Sequence, residues 1–348
     1  MKPVILGSRG SPLALAQSRH IATELKRLWP GRNFEINVIK TEGDRLAEKA
    51  AGGDPKLGKG LFTAELERAL LDGKIDLAVH SLKDLPTDSP EGLILAAIPK
   101  RADARDVLVT RGPDLAPELP EGPVTASGSL RRVLLGPELR YGAILATGSP
   151  RREAQVRLIR ADLTTVAVRG NIDTRLRKFR ENEEWSGLIL AAAGLDRLKP
   201  DVAGLVLTRM PFSQMLPAPG QGALALETRA ATYAVFAEPE HDDYVREAVA
   251  ALDHAETRFA IEAERTVLDA LGGGCSIPIG VHCSPLRDEE GVIAWKLHAQ
   301  VLAPDGERMI CHSTEVAAGI EARALGLQVA EELKARGALE LLSENSTV

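Results

Sequence analysis

The sequence predicts an α/β protein that ends in a smaller, separate α+β domain. Three observations carry that prediction. Short apolar runs alternate with amphipathic stretches through the first two thirds of the chain. After Ala230 the texture changes to two acidic helices, three strands and a last helix. The 348 residues also exceed what one ordinary core organises, so two or three domains are expected.

Val4–Leu6 is the first strand. It passes through Gly7-Ser-Arg-Gly-Ser-Pro-Leu-Ala14 into a helix from about Pro12 to Leu28, with Ala14, Ile21, Leu25 and Leu28 at helical spacing. Ser11 suits the N-cap and Pro12 the first helical position. Phe34–Ile39 alternates as a strand, Phe62–Leu71 is helical, and Ile75–His80 is the next strand. Leu93–Ile98 and Asp106–Thr110 follow as strands, separated by the polar link Pro99–Arg105. Leu163–Val168, a helix near Ile172–Arg180 and Leu188–Ala192 continue the alternation, which implies largely parallel sheets. In the last third Glu256–Leu271 and Glu321–Arg336 are helices, and Ile279–His282, Val292–Leu302 and Met309–Glu315 are strands.

Apolar residues at 44% and charged residues at 26% describe a globular protein. A formal charge of −6 argues against nucleic acid as the main partner. The charge is unevenly spread: residues 129–180 hold twelve Arg or Lys against four Asp or Glu, whereas 229–272 hold four against ten. A basic block in an acidic chain points to an anionic small molecule, with a solvated helix face as the alternative. Three cysteines without CxxC spacing fit a reducing compartment, and the seven histidines form no metal-binding motif. No run is long enough to span a membrane and no signal-peptide core is visible, so a cytoplasmic location is expected.

Four stretches could carry chemistry. The helix start at Ser11, with Arg9 beside it, offers free N–H groups to an anion. His80-Ser-Leu-Lys-Asp-Leu-Pro86 lies just past a strand's carboxyl end, where open α/β sheets place ligands; Lys83 and Asp84 are either a reactive pair or a solvated one. Val168-Arg-Gly-Asn-Ile-Asp-Thr-Arg175 again joins strand to helix, and with Arg151 and Arg152 it supplies guanidinium forks suited to carboxylates. Leu271-Gly-Gly-Gly-Cys-Ser-Ile-Pro-Ile-Gly280 presents Cys275 from a glycine loop, as packing or as an attachment point. Gly58-Lys-Gly-Leu-Phe62 is too short for a nucleotide-binding loop, and Gly220-Gln-Gly222 in Leu216–Gly222 could be a structural turn.

Together these segments, in order and over nearly the whole chain, resemble the hydroxymethylbilane synthase (porphobilinogen deaminase) family. The resemblance implies two lobes like those of type II periplasmic binding proteins plus a smaller C-terminal α+β domain. Domain 1 is then 1–101, completed by about 206–229; domain 2 is 102–205; domain 3 is 230–348 and carries the cofactor cysteine. It also implies a dipyrromethane joined to Cys275 through a thioether, four porphobilinogen additions each losing ammonia, and release of a linear tetrapyrrole by water. Asp84 would then stabilise the cation left by ammonia and move protons. By motif match Arg9, Ser11, Lys83, Arg151, Arg152, Arg169, Gly170 and Arg175 would hold pyrrole carboxylates, helped by Ser81, Thr147 and Ser149. Arg197 joins them from an Ala-Gly-Leu-Asp-Arg segment, and Lys59 lies in a loop expected to be mobile. No metal, membrane, nucleic acid or obligate protein partner is implied, and a monomer is expected.

The chain departs from the family pattern in having two related turns, Ser129-Leu-Arg-Arg132 and Ser149-Pro-Arg-Arg152. The second stands at the usual distance before the Val-Arg-Gly-Asn motif, so the first is read as part of an insertion near 128–147. Two rival readings remain. A two-lobed solute receptor explains the arginines but gives no reason for the Cys275 loop. A nucleic-acid binder lacks interleaved aromatics, which are 3% of residues.

Overall fold

The computed structural model describes residues 2–40, 63–111, 139–232, 239–272 and 277–343. Lys59 and its loop, the Ser129–Arg132 turn, residues 233–238 and Cys275 lie outside the described residues. The chain divides into two compact units, Met1–Ala102 with Gly222–Ile261 and Asp103–Gln221 with Glu262–Val348.

The first unit begins with β1 (Val4–Arg9), α1 (Pro12–Leu28), β2 (Phe34–Ile39), α2 (Ala64–Leu71), β3 (Leu77–Ser81) and β4 (Leu93–Ala97). Along α1 the residues Ala14, Ile21, Ala22 and Leu25 are buried, and Lys26 and Arg27 occupy the last turn, where the helix dipole favours cations. β1 pairs in parallel with β2 on one side and β3 on the other. Gly7 in β1 answers a packing demand, because a Cβ there would collide with Ile75 Cδ1.

The second unit continues with β5 (Asp106–Thr110), β6 (Ile144–Ala146), α3 (Pro150–Ile159), β7 (Thr164–Val166), α4 (Ile172–Glu181), β8 (Trp185–Ala191), α5 (Ala192–Leu198) and β9 (Val206–Arg209). Its sheet runs β7-β6-β8-β5-β9. β5 is buried along its length, and Val107, Val109, Leu188 and Leu190 share a core with Leu176 and Phe179 of α4.

β10 (Leu224–Arg229), α6 (Pro239–Ala250) and α7 (Ala255–Ala270) follow. β10 lies between β3 and β4, giving the first sheet the order β2-β1-β3-β10-β4. Each five-stranded sheet therefore has three parallel strands, then one strand antiparallel to both its neighbours, then an outer strand. That antiparallel strand is the chain's first contribution to the second sheet and its last to the first. The expectation of largely parallel sheets is corrected accordingly: local alternation reports strand and helix succession, not the direction in which a strand enters.

β10 ends in Glu227, Thr228 and Arg229, all buried. Arg229 is neutralised there by Asp76 at 2.8 Å and Asp242 at 2.6 Å, and donates to the carbonyls of Leu70 and Ile75. A buried charge is tolerated when it is paired and hydrogen-bonded in this way.

The chain closes with β11 (Ile279–Arg287), β12 (Val292–Leu302), β13 (Met309–Ala317), α8 (Ala322–Ala335) and α9 (Ala338–Ser343). The three strands form an antiparallel sheet on which α8 packs, burying Leu325, Val329 and Leu333. Two α/β sheets and a smaller α+β part are thus present.

Three boundaries differ from the sequence reading. β9 is hydrogen-bonded to β5, so residues 206–209 belong to the second sheet and the return to the first unit begins at Gly222. α6 buries Val245, Ala248 and Val249 in the core of β1, α1 and β3, so the first unit extends to Ile261 instead of ending before 230. β6 lies between β7 and β8 with Leu145 and Ala146 fully buried, so the end of the 128–147 span is part of the second sheet's core.

Candidate active site

In the first unit the carboxyl ends of the parallel strands β1 and β3 lie at one edge of the sheet. β1 ends at Arg9, which is half-buried, and Ser11 caps α1 by accepting from Ala14 N at 3.3 Å. β3 ends at Ser81 and turns at once into a short 3₁₀ segment, Leu82–Asp84. Leu82 anchors that segment: its side chain is buried and its N–H donates to Ala223 O at 3.1 Å. Lys83 is left half-buried and Asp84 exposed. Gln17 of α1 donates to Ser81 Oγ at 3.0 Å, tying the two turns together. The sequence-predicted Arg9, Ser11, Ser81, Lys83 and Asp84 are thus brought to one edge. The Ser81 hydroxyl is engaged by Gln17, a residue that sequence reasoning missed because a buried glutamine in a helix carries no local signal. Just behind, His80 Nε2 lies 3.3 Å from Glu227, both buried.

In the second unit the parallel strands β7, β6 and β8 likewise end at a common edge. After β6 come Thr147, whose hydroxyl accepts from Ser149 N at 3.3 Å, and Ser149, which precedes α3. After β7 come Arg169, Gly170 and Asn171, the last capping α4 by accepting from Thr174 N at 2.8 Å. Gly170 has φ 114°, a conformation that a side chain resists, and a Cβ there would lie 2.7 Å from Thr174. The two turns approach closely, since a Cβ on Gly148 would lie 2.5 Å from Val168 O. Arg169 is exposed, and Arg175 is half-buried with Nε donating to Gly170 O at 2.7 Å. Arg197 of α5, after β8, is half-buried; burial lowers its pKa to about 10, against the opposing pull of Asp196.

Arg151 and Arg152 are already engaged by groups of the chain itself. Both are buried on the first turn of α3. Arg151 Nη1 meets Asp106 Oδ2 at 2.9 Å and donates to Leu216 O; Arg152 Nη2 donates to Asp106 Oδ1 at 2.8 Å and its Nη1 to Ile189 O. Burial raises the proton affinity of the Asp106 carboxyl, but the two guanidiniums outweigh it and hold its pKa far below the usual range. Burial also lowers the pKa of Arg151, and Asp106 opposes that shift. The pair and its carboxylate carry one net positive charge, and the buried Nε of each arginine has no acceptor among the described residues. Asp106 was visible in the sequence only as the polar head of an apolar strand.

Among the described residues no cluster of His, Cys, Asp and Glu could hold a metal, and no helix is long and apolar enough to cross a membrane.

Comparison with known proteins gives these turns a setting. Residues 4–136 and 136–236 match the model of the porphobilinogen deaminase dipyrromethane cofactor binding domain, and 258–335 match the porphobilinogen deaminase C-terminal domain. A porphobilinogen deaminase of Chloroherpeton thalassium is 39% identical over 99% of this chain and 98% of its own. That of Thermus thermophilus is 39% identical over 99% of both chains, and that of Deinococcus deserti 40% identical over 98% of both. A solved structure of the BenM effector binding domain with benzoate is similar at TM-score 0.37 and 13% identity, covering 72% of this chain and 90% of that one. On the strength of the family models and of relatives matched end to end, the chain belongs to the porphobilinogen deaminase family.

Proposed function

We propose that Asp84 is the proton-transfer carboxylate of this chain's reaction and that the cationic turns bind its substrate's carboxylates. The family sets the reaction: porphobilinogen units are condensed with loss of ammonia, and the linear tetrapyrrole hydroxymethylbilane is released by water. Loss of ammonia from an aminomethyl group leaves a cation in conjugation with the pyrrole N–H. Asp84, exposed on a turn whose own fixation comes from Leu82, can face that cation and take the proton released when the new carbon–carbon bond forms. Lys83, Arg9 and Ser11 stand at the same sheet edge to receive acetate and propionate groups.

The family model is that of a dipyrromethane-binding domain. When bound, the dipyrromethane supplies the pyrrole carbon on which the product is built. Two observations support the fit of the residues present to such a group: the net positive charge of the two arginines with Asp106, and their buried Nε atoms, which have no acceptor among the described residues. Thr147, Ser149, Arg169, Gly170, Arg175 and Arg197 complete the binding set, with Cys275 as the attachment point. A product of six rings, counting the cofactor, carries about twelve carboxylates, and buried anions need counter-charges. That demand accounts for a basic middle segment in a chain of net charge −6. Cysteine usage supports a cytoplasmic protein, and we take it to act as a monomer of three domains.

The observation that carries this reading is the presentation of an exposed Asp84 beside Lys83, Arg9 and Ser11 at one strand edge. Its test is stoichiometry. Purified protein given porphobilinogen should release one ammonia per molecule consumed, in step with appearance of a tetrapyrrole. Binding of porphobilinogen without ammonia release would make the protein a receptor.

A further inference from the structure

The Gly220-Gln-Gly222 turn and Asp106 have no part in the reaction as described, yet they meet the arginine pair directly. Asp106 is completely buried at the head of β5. Besides the two guanidiniums, its Oδ1 accepts from Gln221 Nε2 at 2.8 Å, and Gln221 also donates to Ala104 O at 2.7 Å. Gly220 and Gly222 have φ of 75° and 89°, so the turn that sets Gln221 inward requires glycine on both sides of it. A second clamp fixes the helix that bears the arginines. Leu216 O accepts from Arg151 Nη1 at 2.5 Å and from Gln155 Nε2 at 3.0 Å, while Leu216 N donates to Gln155 Oε1 at 2.7 Å. Arg151 and Gln155, one helical turn apart, are therefore held to a single backbone unit. Gly220 N in turn donates to the buried Glu264 of α7 at 2.8 Å.

Folding alone gives little reason for this arrangement. Two buried guanidiniums against one carboxylate leave a positive charge out of water, and an apolar cluster of the same size would be cheaper to bury. A carboxylate that occupies one Nη of each arginine, with each buried Nε lacking an acceptor among the described residues, instead fixes how the two guanidiniums are turned and so which of their donors an anion can meet. We infer that Asp106, supported by Gln221, is a positioning residue that aims Arg151 and Arg152 at a carboxylate of the bound oligopyrrole. This rests on the reading of those two arginines as carboxylate holders. Asp106→Asn keeps the shape but turns an amide N–H₂ toward one guanidinium, so that arginine must swing away.

The test compares Asp106→Asn, Arg151→Gln, Arg152→Gln and the Asp106→Asn, Arg152→Gln double variant. Each is measured for kcat, KM for porphobilinogen, the fraction of intact mass carrying a dipyrrole, and thermal unfolding. Asp106→Asn, folded at the assay temperature, should lose at least tenfold in kcat/KM or a matching share of cofactor loading. The double variant should lose less than the product of the two single losses, because Asp106 acts in part through Arg152. Folded Asp106→Asn with normal kinetics and loading beside an impaired Arg152→Gln overturns the inference, as do losses that multiply in the double variant. Normal kinetics and loading in both Arg151→Gln and Arg152→Gln instead overturn the reading of the arginines themselves. Should Asp106→Asn fail to fold, Gln221→Leu keeps both ion pairs and takes its place, with a several-fold loss expected and the same comparison with Arg152→Gln.

Discussion

Replacing Asp84 by asparagine should separate chemistry from stability almost completely. The residue is exposed at the end of its 3₁₀ turn. The turn is held by others: Leu82 is 1% and Leu85 8% exposed, Leu82 N donates to Ala223 O, and Leu85 N to Leu82 O. An isosteric change at a solvent-facing carboxylate should alter unfolding free energy by no more than about 0.5 kcal/mol. Loss of a positioned acid–base group typically costs about 10² to 10⁴ in rate. At about 1.36 kcal/mol per tenfold, that is roughly 2.7–5.4 kcal/mol of barrier. The assay follows ammonia release and porphobilinogen consumption, with thermal unfolding on the same preparation and intact mass to show equal cofactor loading. A variant within threefold of wild type would remove Asp84 from the chemistry. A folded-state collapse would show that the carboxylate holds the turn.

Three further outcomes follow from individual contacts. Arg229→Met takes the shared guanidinium from Asp242 and from Asp76, which keeps Ile5 N and His241 Nε2 beside its other oxygen, and should lower urea-unfolding stability by about 3–5 kcal/mol; a loss below about 1 kcal/mol would mean those other contacts suffice. Burial, and then Lys296, lower the pKa of His298 on β12 below its ordinary value near 6.5, so the unfolded chain takes the proton first as pH falls. The associated stability is full above about pH 6.5 and fades on acidification, and His298→Gln should show a smaller fall in Tm between pH 7.5 and 5.5 than wild type. Arg151→Ala should impair product formation and Arg131→Ala should leave it near normal; the opposite result assigns the site to the earlier Ser-Leu-Arg-Arg turn.

The strand-to-helix turns were readable because their signals are local. Ser11 with Pro12 announces a helix start, and the polar His80–Pro86 stretch after an apolar run announces a strand end; the structure has both. What escaped depends on partners far along the chain. Arg229 pairs with Asp76 across 153 residues, and Arg152 with Asp106 across 46, so nothing near either residue tells an ion pair from an open fork. The burial of α6 in the first unit was hidden for the same reason, since an acidic amphipathic helix shows that it has an apolar face but not which sheet covers it. Sheet polarity was misread because β5 looks like an ordinary apolar strand while it runs against both neighbours, and β10, which does the same in the first sheet, ends in Glu, Thr and Arg and was not read as a strand.

The most direct measurement is the intact mass of freshly purified wild-type protein beside Cys275→Ser. A wild-type mass above that of the sequence by one dipyrrole, with the added mass gone in the variant, is the result this account requires. An unmodified wild-type chain, or an adduct that survives loss of the thiol, would contradict it.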